Sequence, residues 1–156
     1  MKRMLYVSIG RQKRWSYGVQ GNLFAPRIKA AGYDLVYFAT TDNMGAPYFD
    51  QDNILTLGGR REPRGNDVYA HHMEWTRADF SLGFNNCWTM AASVYRKYPH
   101  AHMEPVDSEP MRPDEYRVLL DGVRWPIAIS KFGERVMREA GFDPMYVPCA
   151  VDSKLY

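Results

Sequence analysis

Cysteine is scarce in this chain of 156 residues: Cys87 and Cys149 stand far apart and match no metal-ligand spacing. A metal site of paired thiolates is therefore not expected, and the two thiols read as reduced and partly buried rather than as a disulfide framework. A dominant charge is lacking too, since 20 basic residues against 18 acidic ones leave a formal net charge of +2. That near-balance argues against a nucleic-acid partner held by a strong basic field; the one dense basic cluster is Arg11, Lys13 and Arg14. No apolar run approaches the ~18 residues of a membrane span. Repeats and low-complexity tracts are missing as well. Met1-Lys-Arg-Met-Leu-Tyr-Val enters a strand directly and leaves no room for a signal peptide, so a soluble, cytoplasmic protein is expected. By length, 1–156 is one domain, large enough for a real core.

What is present alternates between short apolar runs and helical periodicity. Met4 to Ile9, Asp34 to Ala39, Asn53 to Leu57, Asp79 to Phe84, His100 to Pro105, Pro126 to Ile129 and Met145 to Val147 read as strands. The nearly continuous apolar runs are those of strands buried on both faces. Between them, Val19 to Ala31, Asp67 to Arg77, Trp88 to Tyr98, Pro113 to Val123 and the stretch after Ser130 read as helices. Pro26 conflicts with the first of these and should kink it or mark where its regular part begins. Val68, His71, His72 and Trp75 are within reach of one face of the second helix. Tyr116, Leu119, Leu120 and Val123 are expected to face inward from the fourth, and Phe132, Val136, Met137 and Ala140 from the fifth. Ser130 is placed to cap that last helix and Gly141 to end it in the left-handed conformation. Gly58 to Gly65 reads as an exposed, mobile loop, and Thr40 to Gln51 as turn-rich. Strand, helix and strand in close succession demand right-handed parallel crossovers. The expected fold class is α/β: a doubly wound, mostly parallel, Rossmann-like sheet of about seven strands.

Such sheets bind ligands beyond the carboxyl ends of their strands, so residues just after strands are the candidates. Gly10 opens a loop that reaches Tyr17 and Gly18 before a helix, where backbone N–H groups and the helix dipole can hold an anion. The glycine spacing fits neither a dinucleotide fingerprint nor a Walker A loop. His71 and His72 on the second helix read either as one partly buried and one exposed histidine or as an acid–base contact at the cleft. His100 and His102 share one face of a strand, two metal ligands without a third, and read as structural. Trp88 and Asp107 both follow strand ends. An exposed Trp and a loop carboxylate suit sugar recognition, by stacking and by charged hydrogen bonds to hydroxyls.

Ser130-Lys-Phe-Gly-Glu-Arg-Val-Met-Arg-Glu-Ala-Gly141, followed by Tyr146-Val-Pro-Cys-Ala-Val-Asp152, resembles the end of the N-terminal domain in GT-B glycosyltransferases of the family-four type. Leu5-Tyr-Val-Ser with Ser16-Tyr-Gly18 is similar to the family's first strand and Gly-Tyr-Gly loop. Lys29-Ala-Ala-Gly-Tyr-Asp-Leu-Val is similar to its Leu-x-x-x-Gly-His-x-Val step. Ala78-Asp79, Trp88 and Pro105-Val-Asp-Ser-Glu-Pro110 resemble segments of bacterial and phage members. Cys149-Ala150 stands where the family has His-Gly, and Asn86 where it has Asp. The resemblance implies one acceptor-side half of a GT-B architecture, retaining and metal-independent, with a nucleotide-sugar as co-substrate and no resident cofactor. It also implies that Gly10 and Gly18 lie against the donor diphosphate and that Tyr17 and Trp88 shape the pocket. His71, His72 and Asp107 would contact acceptor or sugar, and no residue is marked as a catalytic base. A family member would enter its donor-binding domain after Asp152, so the chain alone is expected to show little or no transferase activity. The alternative is a non-catalytic α/β module that binds a glycan, a nucleotide or a protein.

Overall fold

The computed structural model describes residues 1–41, 45–59, 62 and 64–153. Arg60, Arg61 and Pro63 of the expected glycine-rich loop lie outside these residues, as do positions 42–44 of the turn-rich stretch. The elements run β1 (Arg3–Ser8), α1 (Ser16–Ala30), β2 (Asp34–Ala39), β3 (Tyr48–Phe49), β4 (Leu55–Gly58), α2 (Tyr69–Thr76) and β5 (Phe80–Phe84). After a 3-10 turn at Cys87–Thr89 come α3 (Ala92–Arg96), β6 (His100–Glu104), α4 (Pro113–Gly122), β7 (Trp125–Ala128), α5 (Lys131–Glu139) and β8 (Met145–Tyr146).

One sheet of eight strands holds the order β3-β4-β2-β1-β5-β6-β7-β8. Every neighbouring pair is parallel except β3 with β4, whose two-residue antiparallel pairing adds the strand missing from the expected seven. This is the doubly wound, mostly parallel α/β sheet that the alternating pattern predicts. From β1 the chain steps one way to β2; from β4 onward it steps the other way. Right-handed crossovers therefore put α1 on one face and α2 to α5 on the other. The core divides accordingly. Ala25, Phe24 and Ile28 of α1 pack with Tyr6, Leu35 and Tyr37. Tyr69 and Met73, Tyr95, Val118 and Leu119, and Val136 and Met137 pack with Leu5, Val7, Val36 and Phe38. Phe24 and Ile28 are partly buried; each fully buried large apolar side chain contributes roughly 1.5–3 kcal/mol.

Several local expectations are met. Ser130 Oγ accepts from the Gly133 N–H at 2.9 Å, and Gly32 and Gly141 take φ of 92° and 90°. Both cysteines are free, as expected, but Cys149 is exposed rather than partly buried. α1 begins at Ser16, earlier than expected, and runs through Pro26.

Others are corrected. α4 buries Glu115, Val118, Leu119 and Gly122 and leaves Tyr116 and Leu120 exposed, so its inward face is rotated from the apolar one. Gly122 explains the rotation: a Cβ there would lie 3.0 Å from Ala92 O and 3.1 Å from Tyr95 Cβ, so only a glycine lets α4 sit this close to α3. In α5, Phe132 is exposed beneath Arg135 while Gly133 takes the buried place against Val106. α2 buries Tyr69, Met73 and Thr76, leaving His71 and Trp75 exposed. The helix expected from Trp88 to Tyr98 is instead a 3-10 turn and the short α3. Cys87 N donates to Glu104 and Ala91 N to Asn66 Oδ1, so side chains take amide hydrogens there. Gly59 and Gly65 are buried rather than exposed; Gly65 has φ 74° and touches the Phe38 ring where a Cβ would go.

Candidate functional site

β1 and β5 are neighbours whose chains leave toward opposite faces, and a cleft belongs at their carboxyl ends. Ser8 Oγ donates to Phe84 O at 2.7 Å and fastens the two ends together. Tyr37 Oη donates to Ile9 O at 2.6 Å, a reach that requires Gly21, whose Cβ would occupy the space of the Tyr37 hydroxyl. At Gly10 the chain turns, with Lys13 N donating to Gly10 O at 3.1 Å. Gly18 lies against that turn, and a Cβ on it would strike the Lys13 and Gly10 carbonyl oxygens. Gly10 and Gly18 thus make one tight loop-to-helix junction. Among the described residues α1 has no side-chain N-cap and no acidic residue in its first turn, so its amino end keeps its positive dipole uncompensated. The basic cluster is thinner than its sequence suggests, because Arg11 pairs with Asp50 and Asp52.

Tyr17 extends from the first turn of α1 into the cleft. Its hydroxyl donates to Asn86 Oδ1 at 2.8 Å and its ring meets Phe84 edge-on. Burial, then the charges of Glu104 and Asp107, push its hydroxyl up to about 12. Asp107 is exposed after β6. Trp88 is half-buried, with the guanidiniums of Arg64 and Arg112 at 5.4 and 5.3 Å from its ring centroid. A sugar stacking on Trp88 would have to compete with those cations. Tyr17, Asp107, Gly10, Gly18 and Trp88 therefore gather around one edge of the sheet.

His71 and His72 do not join them. His72 Nε2 lies 2.8 Å from Gly58 O and its ring abuts Phe38, while His71 is exposed. Both line a cavity of about 490 Å³ with Gly58, Gly59, Asp67 and Trp75 at the end of β4. Three strand spacings separate β4 from β5, roughly 14 Å. A further cavity of about 560 Å³, lined by Arg3, Tyr33, Asp34, Phe49 and Trp75, opens at the amino ends of β1 and β2, where α/β sheets do not place their ligands.

Two residues at the cleft were not among the candidates. Glu104 ends β6 fully buried; its Oε2 accepts from Cys87 N at 3.0 Å and lies 3.1 Å from His102 Nε2. Glu115, in the first turn of α4, is 2% exposed, and burial followed by the charge of Glu104 pushes its carboxyl up to about 7. Glu104 Oε1 and Glu115 Oε2 have no hydrogen-bond partner among the described residues. The signal that could have found them is His-x-His-x-Glu at period two on β6. An internal parallel strand buries both its faces, so three polar side chains there demand buried partners.

The Cys149 side of the cleft is fixed by Gln20, whose Nε2 donates to Ala150 O at 2.9 Å and whose Oε1 accepts from Ala150 N at 2.8 Å. Among the described residues no group of three His, Cys, Asp or Glu side chains is arranged to hold a metal ion, and no helix is long and apolar enough to cross a membrane. No protein-family model matches this chain, and no curated protein sequence matches it.

Proposed function

We propose that this chain forms the acceptor-side wall of a sugar-transferring enzyme of GT-B type, working on a nucleotide-sugar donor and a hydroxylated acceptor. The observation that carries the reading is the pairing at one edge of two complementary features. α1 offers an uncapped amino end suited to a diphosphate, and Tyr17, Asn86 and Asp107 beside it offer hydroxyl, amide and carboxylate oxygens suited to sugar hydroxyls. Gly18 lets the loop from Gly10 pack tightly against the first turn of α1. As the family resemblance implies, a second, donor-binding domain would close the cleft and complete a retaining, metal-independent transfer. The chain's own residues bind and orient: Asp107 accepts from a hydroxyl, and Tyr17, kept protonated with its hydrogen on Asn86, accepts at neutral pH.

The test is chemical-shift mapping of the chain with nucleoside diphosphates, nucleotide-sugars and oligosaccharides. Shifts centred on Tyr17, Gly18, Asn86 and Asp107 are expected, and Asp107→Ala should weaken saccharide binding about tenfold, as for a lost charge-assisted hydrogen bond. Shifts confined to the His71 and His72 cavity would refute the assignment. A second reading, a binding module without catalysis, is favoured by one observation: the strongest acid–base candidates at the cleft, Glu104 and Glu115, are both buried. Saturable binding without turnover, even with a donor-binding domain supplied, would select it.

A further inference from the structure

Beneath the cleft runs a buried line of polar groups with no role in ligand binding so far. Tyr69 Oη lies 2.6 Å from Ser81 Oγ, and Ser81 Oγ 2.7 Å from His100 Nδ1. His100 Nε2 lies 3.1 Å from His102 Nδ1, and His102 Nε2 2.8 Å from Asn85 O and 3.1 Å from Glu104 Oε2. Tyr69, Ser81, His100, His102 and Glu104 are all fully buried.

The acceptors assign the hydrogens. Asn85 O can only accept, so His102 Nε2 carries a proton. In a neutral ring its Nδ1 then accepts, which puts the hydrogen of the contact on His100 Nε2. His100 Nδ1 accepts in turn from the Ser81 hydroxyl, and Ser81 from Tyr69. With both rings neutral, the hydrogens run in one direction, from Tyr69 through the two histidines to Asn85 O. Burial, and then His102, hold His100 well below its ordinary value, in keeping with a neutral ring.

Glu104 Oε2 therefore receives the Cys87 N–H and lies 3.1 Å from His102 Nε2, whose hydrogen goes to Asn85 O. Glu115 receives no donor at Oε2; Arg112 lies 3.9 Å from its Oε1 and is turned toward Asp114 at 3.0 Å. Cys87 lies between the two residues, its amide on the Glu104 carboxyl and its Sγ 3.8 Å from the Glu115 main-chain carbonyl oxygen. Two buried carboxylates that feel each other cannot both ionise cheaply.

We propose that Glu115 keeps a proton at the β6–α4 junction, because it is buried without a donor at Oε2 and beside a second buried acid, Glu104, where two negative charges would be costly. The proton's loss sets two like charges against each other and loosens α4 together with the Asp107 loop. The junction is a pH-sensitive latch, and it stands whether or not the cleft takes a sugar. The groups that bear on Glu115 come from each neighbouring element: Glu104 from β6, Asp107 from the loop after it, Arg112 and Asp114 from the start of α4. Cys87 from the 3-10 turn and Tyr17 from α1 stay neutral, their thiol and hydroxyl raised first by burial.

A carboxyl whose folded-state value lies above its unfolded one stabilises fully below the unfolded value and loses that effect as pH rises through the folded one. For Glu115 the window runs from 4.5 to about 7. In the full chain, raising pH through it should cost on the order of a hundredfold in the folding constant through this pair. Glu115→Gln is neutral at every pH and should remove that loss, so its advantage over wild type grows across the window and is complete above it. Difference infrared spectroscopy of wild type at pH about 6, where ordinary carboxylates are ionised, should show a protonated carboxyl C=O band that vanishes on alkalinisation. Nitrogen NMR should show His100 and His102 as neutral Nε2–H tautomers. The proposal is overturned if Glu115→Gln keeps the wild-type pH profile, or if the carboxyl band is missing from wild type, a readout that needs no variant to fold. It is equally overturned if calcium or magnesium raises the melting temperature of wild type but not of Glu104→Gln, because the bare oxygens would then be a cation site.

Discussion

Gly83 in the middle of β5 offers the sharpest test of the buried polar line, through the substitution Gly83→Ala. Gly83 lies opposite His102 in the parallel register, and a Cβ there would come within 3.0 Å of atoms of both the His102 and His100 rings. Neither ring has room to retreat: His100 stacks on Tyr95 with centroids 3.7 Å apart, and both rings are hydrogen-bonded at each nitrogen. Overpacking of a core costs about 1–3 kcal/mol. Each buried hydrogen bond broken by the displaced rings adds about 1–3 kcal/mol. Removing glycine's freedom from the unfolded chain returns only about 0.4–1 kcal/mol. The net expectation is a loss of about 3–5 kcal/mol, a large part of a domain stability of order 10 kcal/mol. Urea unfolding followed by circular dichroism should show the midpoint falling with the slope unchanged, and the melting temperature should drop by about 10 °C. Ser81→Ala breaks the same line without adding bulk, so the double variant should lose less than the sum of the singles. A Gly83→Ala protein within about 1 kcal/mol of wild type, or strict additivity with Ser81→Ala, would refute a coupled line of neutral histidines.

Gly18→Ala places a methyl against backbone carbonyls rather than a movable side chain, so it should cost about 2–4 kcal/mol by thermal unfolding and abolish nucleoside diphosphate shifts at the start of α1. Gln20→Ala removes both bonds to Ala150; amide exchange at Ala150 should speed up strongly while global stability falls by only about 1–2 kcal/mol, and unchanged exchange would count against the clamp. Arg135→Ala deletes bonds to Glu109 and Glu139, yet all three side chains are about half exposed, so the expected loss is under about 1 kcal/mol and shrinks in salt.

The candidate site was half legible. Tyr17, Gly18 and Asp107 follow strand ends, and a parallel sheet brings strand ends to one edge whatever the order of its strands. His71 and His72 lie apart from the other candidates because His72 is held at the end of β4, three strands from β5, and strand order is not written in periodicity. The burial of Glu104 and Glu115 is not legible in local pattern, because acidic residues are almost never fully buried unless paired. What buries Glu115 is Gly122 seven residues on, which turns α4 by letting it approach α3.

By itself the sequence determined the architecture: apolar runs long enough for doubly buried strands, helices stopped at Gly32 and Gly141, and a Ser130 cap. These signals are local, each confined to a few consecutive residues. Only the tertiary structure decided which helix faces turn inward, which cleft residues meet, and where the buried polar groups find partners. The line from Tyr69 to Glu104 draws its members from α2, β5 and β6 and closes on Cys87 and Asn85 beyond β5. A hydrogen bond is specified by distance in space, and no local pattern encodes which distant group will be 3 Å away.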